Sequence, residues 1–308
     1  GSHDARQEVY GLVEYLNKQC GAPFNFSKDF VLKALLVMND GDVRFKTENI
    51  SKKRELEKTW PHVQKSLKLT AKLLALFGFD MDTLTANTAV IPIAYYLSKK
   101  GYDESFLTHK ANADDREEIR LWLLRILLAR VFRGQTDQLL TLIRNEIRDA
   151  VSSQSGTKGF PAQRIEDMLR TRRAYSFSTE DIERIVDETV YGDPYVFSTL
   201  ALLFPHLSYH HTRFHIDHMH PSSIFTKKNL TNAGLDAPAI AYALERYNRL
   251  PNLQLLTEAV NEAKKAKPLA DWFASVNQVE YRATNLIPDI NLSLGNFREF
   301  YEARRLLL

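Results

Sequence analysis

The sequence predicts a predominantly α-helical protein with a small strand–strand–helix element in its C-terminal half. Three observations lead to this fold class. Apolar residues recur at helical spacing along most of the chain, and Gly and Pro are few, at 12 and 11 of 308 residues. Short strand patterns appear only late, at 213–221 and 252–256. Hydrophobic residues make up 44% and charged residues 26%, a composition typical of globular proteins.

The helices are predicted from apolar spacing together with end signals. Ser27 can cap the second helix, Pro61 interrupts the third, and Gly78 ends the third because glycine adopts a left-handed cap at low cost. Pro92 lies near the first turn of the fourth. The predicted helices cover 7–20, 27–39, 51–78, 92–101, 114–132, 136–151, 162–170, 179–190 and an apolar stretch ending near residue 204.

A polar, glycine-containing segment at 152–159 predicts a domain boundary or a mobile loop. We therefore expect an all-helical domain at 4–155 and a second domain at 156–308. Gly1, Ser2 and His3 resemble the remnant of a purification tag, so we expect a longer natural protein.

Composition restricts the function classes. Cys20 is the single cysteine, which excludes an internal disulfide and any multi-cysteine zinc cluster. No apolar run reaches the roughly 18 to 20 residues that a bilayer span needs, and no signal sequence opens the chain. We expect a cytoplasmic protein without a membrane partner.

The formal net charge of +3 is too small to indicate a nucleic-acid partner by itself. Basic residues do cluster locally: between Ile119 and Arg173 there are eleven Lys or Arg against five Asp or Glu. Arg170, Arg172 and Arg173 fall almost together. We favour a solvated helix face, and a strip that follows DNA phosphates is the alternative.

Six of the nine histidines lie within residues 206–220, where the character of the sequence changes. The stretch 213–221 reads as a short strand that turns at its proline and carries Asp217 and His218 at its end. A second strand at 252–256 leads to a helix that runs from Glu258 through Lys264 or beyond, with Asn261 one turn inside it. An excursion at 222–251, with a predicted helix at 237–247, separates the strands.

Asp217, His218, Asn252 and Asn261, in this order and with these elements between them, resemble the HNH or His-Me finger nucleases, which have a ββα-metal core. Lys264, just beyond, fits the same pattern. The resemblance implies a mainly α protein whose helical body carries a small HNH nuclease core in the C-terminal half.

The chemistry of phosphodiester hydrolysis requires these residue types. A neutral imidazole can take a proton from water at physiological pH, so His218 is expected to be the general base. Carboxylate and amide oxygens hold hard cations, so Asp217 and Asn261 are expected to bind Mg²⁺ or Mn²⁺. The resemblance assigns Asn252 a supporting role that positions the catalytic strand and the histidine.

Neighbouring residues allow two interpretations each. His215 and His220 flank His218 and are expected to share its strand face, where they would touch phosphate or assist the metal; ordinary polar residues near a site are the alternative. Lys264 would neutralise the scissile phosphate or be a solvent-exposed lysine. His206, His210 and His211 are interpreted as loop surface.

The flanking residues narrow the resemblance. The stretches 215–221 (HIDHMHP) and 251–256 (PNLQLL), with Asn261 following, resemble the C-terminal nuclease region of GmrSD-type modification-dependent restriction proteins and of the related SspE phage-defence proteins. The helical stretches 29–37 and 90–97 are similar to the segment that joins the two halves of such proteins. Many members carry Glu where this chain has Asp217, which puts metal preference in doubt.

This resemblance implies an effector that nicks double-stranded DNA. It also implies a modification-sensing NTPase domain N-terminal to this region in the same polypeptide. We assign no NTPase to this chain itself, which contains no Gly-rich phosphate loop. Two alternatives remain: a helical DNA-binding or scaffold module with a structural metal site, and an RNA-directed nuclease with a similar core. The sequence leaves homo-oligomer formation open.

Overall fold

A computed structural model describes residues 5–40, 53–134, 136–152, 158–172, 175–209 and 212–308. The protein is mainly helical, as the sequence predicts. The chain divides into two compact units, Gly1–Ser176 and Phe177–Leu308.

The described helices of the first unit follow the predicted ones closely. They are α1 (Ala5–Lys18), α2 (Lys28–Met38), α3 (Lys53–Leu76), α4 (Ile91–Lys99), α5 (Ala113–Leu128), α6 (Thr136–Ser152) and α7 (Ala162–Thr171).

The predicted end signals have mixed outcomes. Ser27 Oγ accepts the backbone N–H of Phe30 at 3.1 Å, which confirms the cap. Gly78 has the expected positive φ of 82° just after α3. Pro61 does not break α3, which continues through it. The predicted start of this helix at Ser51 lies outside the described residues.

Helix α4 forms the centre of the first unit. Every residue from Ile91 to Leu97 is buried, and α2, α3 and α6 pack around the helix. A helix that is apolar on all sides belongs in a core. Its two buried tyrosines keep their hydroxyls hydrogen-bonded: Tyr95 donates to Asp40 at 2.7 Å and Tyr96 to Asp115 at 2.8 Å.

The division between the units falls after Ser176, later in the chain than the predicted boundary at 155. The other oxygen of the buried Asp115 accepts the backbone N–H of Phe160 at 2.7 Å. Arg125 donates to Glu166 of α7 at 2.8 Å, and that carboxylate is also buried. These contacts hold residues 158–172 on α5, within the first unit. Residues 153–157, in the polar segment before them, lie outside the described residues.

The second unit contains a pair of strands among short helices. The strands are β1 (Phe214–His218) and β2 (Leu253–Thr257). The described helices are α8 (Thr179–Glu188), α9 (Val196–Leu203), α10 (Lys227–Asn232), α11 (Ala237–Arg246), α12 (Glu258–Lys264), α13 (Leu269–Ala274), α14 (Gln278–Thr284) and α15 (Phe297–Leu307).

The two strands pair antiparallel, with His218 opposite Leu253 and Asp217 opposite Gln254. They form the one sheet within the described ranges. Helix α12 packs against both strands and α9 against β2, and Leu253 through Leu256 are all buried. Both faces of β2 are therefore covered.

The apolar core of this unit lies beside the sheet and is organised by α15. Phe297 and Phe300 of this helix are fully buried and contact residues from the turn after β1 and from the excursion. The core comprises Met219, Phe225, Leu230, Leu235, Ala243, Leu269, Phe273, Ile287, Leu292, Phe297, Phe300 and Tyr301. The C-terminal helix thus supports the strand end where the candidate site lies.

Candidate active site

The end of β1 carries the two residues that the sequence places at the centre of the site. Asp217 and His218 are consecutive on a strand, so their side chains leave opposite faces of the two-stranded sheet. The carboxylate lies on the face shared with Gln254, and the imidazole lies on the face shared with Leu253. The carboxylate and the imidazole therefore have different neighbours.

Asp217 is held by two donors on one of its oxygens. Oδ2 accepts a hydrogen bond from Gln254 Nε2 at 3.1 Å and lies 2.8 Å from Lys264 Nζ. Gln254 Oε1 in turn accepts the hydroxyl of Tyr281 at 2.8 Å, and burial raises the pKa of that phenol to about 12. Because the tyrosine is a hydrogen-bond donor at neutral pH, the amide of Gln254 points its NH₂ group at the aspartate.

Lys264 is fully buried, with 0% of its side chain exposed. Its ammonium contacts Asp217 and also donates to the backbone carbonyl of His218 at 2.8 Å. The expectation that Lys264 touches phosphate does not fit this position, since its donors are directed to β1 inside the protein. Lys264 instead fixes α12 against the end of β1.

Asn261 lies three residues before Lys264 on α12, and residues spaced in this way share a helix face. The side chain is half-buried. Within the described part of the chain, no protein hydrogen bond occupies its amide. The Asn261 amide is therefore on the side of α12 that meets β1, where an oxygen ligand for a cation would be required.

His218 is 6% exposed and sits in an aromatic environment. Its ring centroid is 4.6 Å from that of Tyr191 and 6.4 Å from that of Tyr247. Its Nε2 lies 2.8 Å from Oδ1 of Asn248. Burial lowers the pKa of His218 below its ordinary value, against the opposing effects of the Asn248 hydrogen bond and the Asp217 charge. The imidazole is thus neutral at physiological pH, as a general base must be.

Asn252 is 0% exposed and joins three backbone groups through its side chain. Its Oδ1 accepts the N–H of His220 at 2.9 Å, and its Nδ2 donates to the carbonyls of His220 and Tyr247, at 3.0 and 2.8 Å. The backbone carbonyl of Asn252 accepts the N–H of Met219 at 2.7 Å. These bonds hold the turn after His218 in place.

The two flanking histidines do not lie where the strand argument placed them. His215 is three positions before His218, so it lies on the Asp217 face of the sheet, and among the described residues its buried Nε2 has no hydrogen-bond partner. His220 is 1% exposed and packs edge-on against Phe297 and Phe300. His220 is therefore a core residue, and the expectation that it touches DNA or assists a metal is wrong.

The remaining candidates fall outside this cluster. Arg170 and Arg172 belong to the first unit, where Arg170 pairs with Asp167 at 2.7 Å and Glu166 at 3.3 Å. Those carboxylates compensate its charge, which favours a solvated helix face over a phosphate strip. Arg173 lies outside the described residues. So do two of the three loop histidines, His210 and His211, whereas His206 is exposed, as the loop-surface interpretation expects.

The donor set suits a hard cation with few protein ligands. No group of three or more His, Cys, Asp or Glu gathers around one point in the described ranges. Asp217, whose Oδ1 accepts no protein hydrogen bond from the described residues, lies at the β1–α12 junction, and Asn261 shares the helix face of Lys264, which contacts Asp217. Mg²⁺ and Mn²⁺ accept such a pair together with waters.

Sequence reasoning missed four residues that build the site: Asn248, Gln254, Tyr281 and Arg304. Arg304 of α15 is fully buried and donates to the carbonyls of Pro251 and Leu253 at 2.7 and 2.8 Å, on either side of Asn252. Burial lowers the pKa of this guanidinium to about 9. All four residues are of common types and their partners are distant in the sequence, so no local pattern indicated these four residues.

The sequence matches no protein-family model, and no curated protein is significantly similar to it. No helix within the described ranges is both long and apolar enough to cross a membrane.

Proposed function

We propose that this protein is a metal-dependent HNH endonuclease that nicks double-stranded DNA. The observation that carries the proposal is the surroundings of His218. A neutral, oriented imidazole ends a strand next to Asp217, and a helix carrying Asn261 packs against the same strand end. This arrangement of two strands and a helix supports an HNH-type core.

The chain's own residues account for the chemistry. His218 takes a proton from the water that attacks phosphorus, and the bond from phosphorus to the 3′ oxygen breaks. Asn252 keeps the turn after His218 in place, and Lys264 and Gln254 orient Asp217. Mg²⁺ or Mn²⁺, held by Asp217 and Asn261, would stabilise the negative charge on the phosphate and on the leaving oxygen.

The substrate and the biological role rest on the resemblance to the GmrSD-type and SspE proteins. On this basis the chain is the effector part of a modification-linked anti-phage restriction protein, with a sensing NTPase domain in the same polypeptide. A single active site per chain cuts one strand, so a nick is the expected product. Double-strand breaks would require two copies or closely spaced nicks.

Incubation of supercoiled plasmid with the protein and Mg²⁺ or Mn²⁺ tests the proposal. We expect open-circle product, which disappears with EDTA and in His218→Ala. His109→Ala is the matched control because His109 is exposed and belongs to the first unit, so it should nick normally. Absence of nicking with either metal, by protein shown to be folded, contradicts the proposal for this chain.

A parallel assay separates the other candidate functions. A binding module with a structural metal predicts tightly bound zinc, measured by elemental analysis, and no cleavage when magnesium is added. An RNA-directed nuclease predicts that RNA of the same length is cut faster than duplex DNA.

A further inference from the structure

We infer that Asn248 is a positioning residue that holds His218 in one tautomer, with the proton on Nε2 and the free lone pair on Nδ1. The inference deepens the proposed function and rests on it for its catalytic meaning. Its structural part concerns this chain alone. Nδ1 is then the atom that accepts the proton from the attacking water.

The distance and the atom types carry the first step. His218 Nε2 is 2.8 Å from Asn248 Oδ1. A side-chain carbonyl oxygen accepts hydrogen bonds and cannot donate them, so a neutral imidazole in this contact must carry its proton on Nε2. The other ring nitrogen is left unprotonated. Of the two nitrogens of a neutral histidine, only this one can act as a base.

The backbone on both sides of Asn248 is held in place. The carbonyl of Asn248 accepts the N–H of Tyr191 at 2.7 Å, and the next residue, Arg249, forms a β-bridge with Val190. The carbonyl of the preceding residue, Tyr247, accepts a hydrogen bond from Asn252 at 2.8 Å. The amide oxygen is therefore presented from a fixed point, which a loop with free backbone groups would not provide.

The aromatic contacts of the His218 ring allow two orientations of the imidazole, and the hydrogen bond to Asn248 selects one of them. Tyr191 lies 4.6 Å from the His218 ring and Tyr247 lies 6.4 Å from it, and these contacts restrict the plane of the imidazole. Aromatic contacts of this kind do not distinguish the imidazole from the same ring rotated by half a turn about its Cβ–Cγ bond. The Asn248 oxygen does distinguish them, because it needs a donor at Nε2.

The same contacts explain why Asn248 has a role separate from that of Asn252. With the described residues, the Asn252 side chain forms hydrogen bonds to backbone groups alone, so it shapes the turn that follows β1. Asn248 contacts the imidazole itself. Loss of Asn252 should therefore disturb folding around the site. Loss of Asn248 should leave the fold intact and change the tautomer of the His218 ring.

The test reads the tautomer directly in the unliganded full chain. Protein labelled with ¹⁵N-histidine is studied by two-bond ¹H–¹⁵N correlation at a fixed pH of about 8, where histidine is neutral. His218→Gln assigns the signal among the nine histidines. We expect a protonated-type Nε2 and an unprotonated-type Nδ1 for His218. Asn248→Leu should give an averaged pattern, and Asn248→Asp, which keeps an acceptor oxygen, should keep the original one.

Plasmid nicking at the same pH provides the functional readout. Asn248→Leu should lower kcat by about ten- to a hundred-fold with KM changed less than about threefold, as for other residues that orient a catalytic histidine. Asn248→Asp should restore most of kcat. A loss of folding in Asn248→Leu would show as loss of the dispersed histidine signals, which separates a structural defect from a positioning role.

Two results overturn the inference: a proton on Nδ1 of His218 in the wild-type protein, or an Asn248→Leu spectrum identical to the wild type. A folded Asn248→Leu with unchanged kcat overturns the catalytic part. If the wild-type tautomer is as expected and no DNA is cut, the proposed function fails while the assignment of Asn248 stands.

Discussion

Acid should destabilise the second unit through His220, because burial of its imidazole disfavours the protonated form. His220 is 1% exposed, its ring lies 4.8 Å from that of Phe300, and burial lowers its pKa to about 3, with a smaller effect from the charge of Lys264. An unfolded histidine has a pKa of about 6.5. Between pH 3 and about pH 6.5 the folded state therefore binds fewer protons at His220 than the unfolded state does.

The sign follows from that difference. The contribution of His220 to stability is fully present above pH 6.5 and is lost progressively as the pH falls from about 6.5 toward 3. Between pH 8 and pH 5 the linkage relation gives a loss of about 2 kcal/mol in the free energy of unfolding. The variant His220→Leu removes the titrating ring but keeps the backbone N–H and carbonyl that bond Asn252. The variant should not show this loss.

Urea unfolding measured at pH 8, 7, 6 and 5 checks the prediction. The chain has two units, so the unfolding of the second must be followed by itself. Trp272 of α13 lies in that unit, and ¹⁹F NMR of 5-fluorotryptophan protein resolves it from the other two tryptophans. Both proteins contain His218, so its titration cancels in the comparison. Equal losses of stability in the wild type and His220→Leu would refute the reasoning.

Three further predictions concern the site. Lys264→Met should lower the free energy of unfolding by about 2 to 3 kcal/mol, because it leaves the Asp217 carboxylate, 20% exposed, without its cation. In thermal melts, the double variant with Asp217→Asn should recover part of this stability, and no recovery would show that the ion pair is not the cause. Arg304→Met should cost about 2 to 4 kcal/mol, since two buried carbonyls lose their donor, and a urea midpoint equal to that of the wild type would contradict this. Because burial lowers the pKa of His218, the nicking rate should fall as the pH is lowered from 8 to 5, with a midpoint below about 6.5. A midpoint above that value would contradict a buried neutral base.

The sequence by itself determined the helices and the order of elements around the candidate site. Predicted helices such as 136–151 and 162–170 agree within a residue or two with α6 and α7, because apolar spacing and end signals act locally. Thr257 caps the helix that follows β2, accepting the N–H of Val260 at 3.4 Å, and that helix spans 258–264 as predicted. Assignment of the site as a nuclease rests on chemistry and on a resemblance, and it stays a prediction.

Only the tertiary structure decided which polar residues face inward. Lys264 and His220 read as candidates for DNA contact, and both are buried by packing against β1 and α15. Burial depends on which segments meet, and the partners here are up to 80 residues apart in the chain. The contacts that tie residues 158–172 to the first unit are also distant in the sequence, since Asp115 accepts the backbone N–H of Phe160, 45 residues later. Local pattern predicts an element, whereas long-range contact sets the role of each side chain on it.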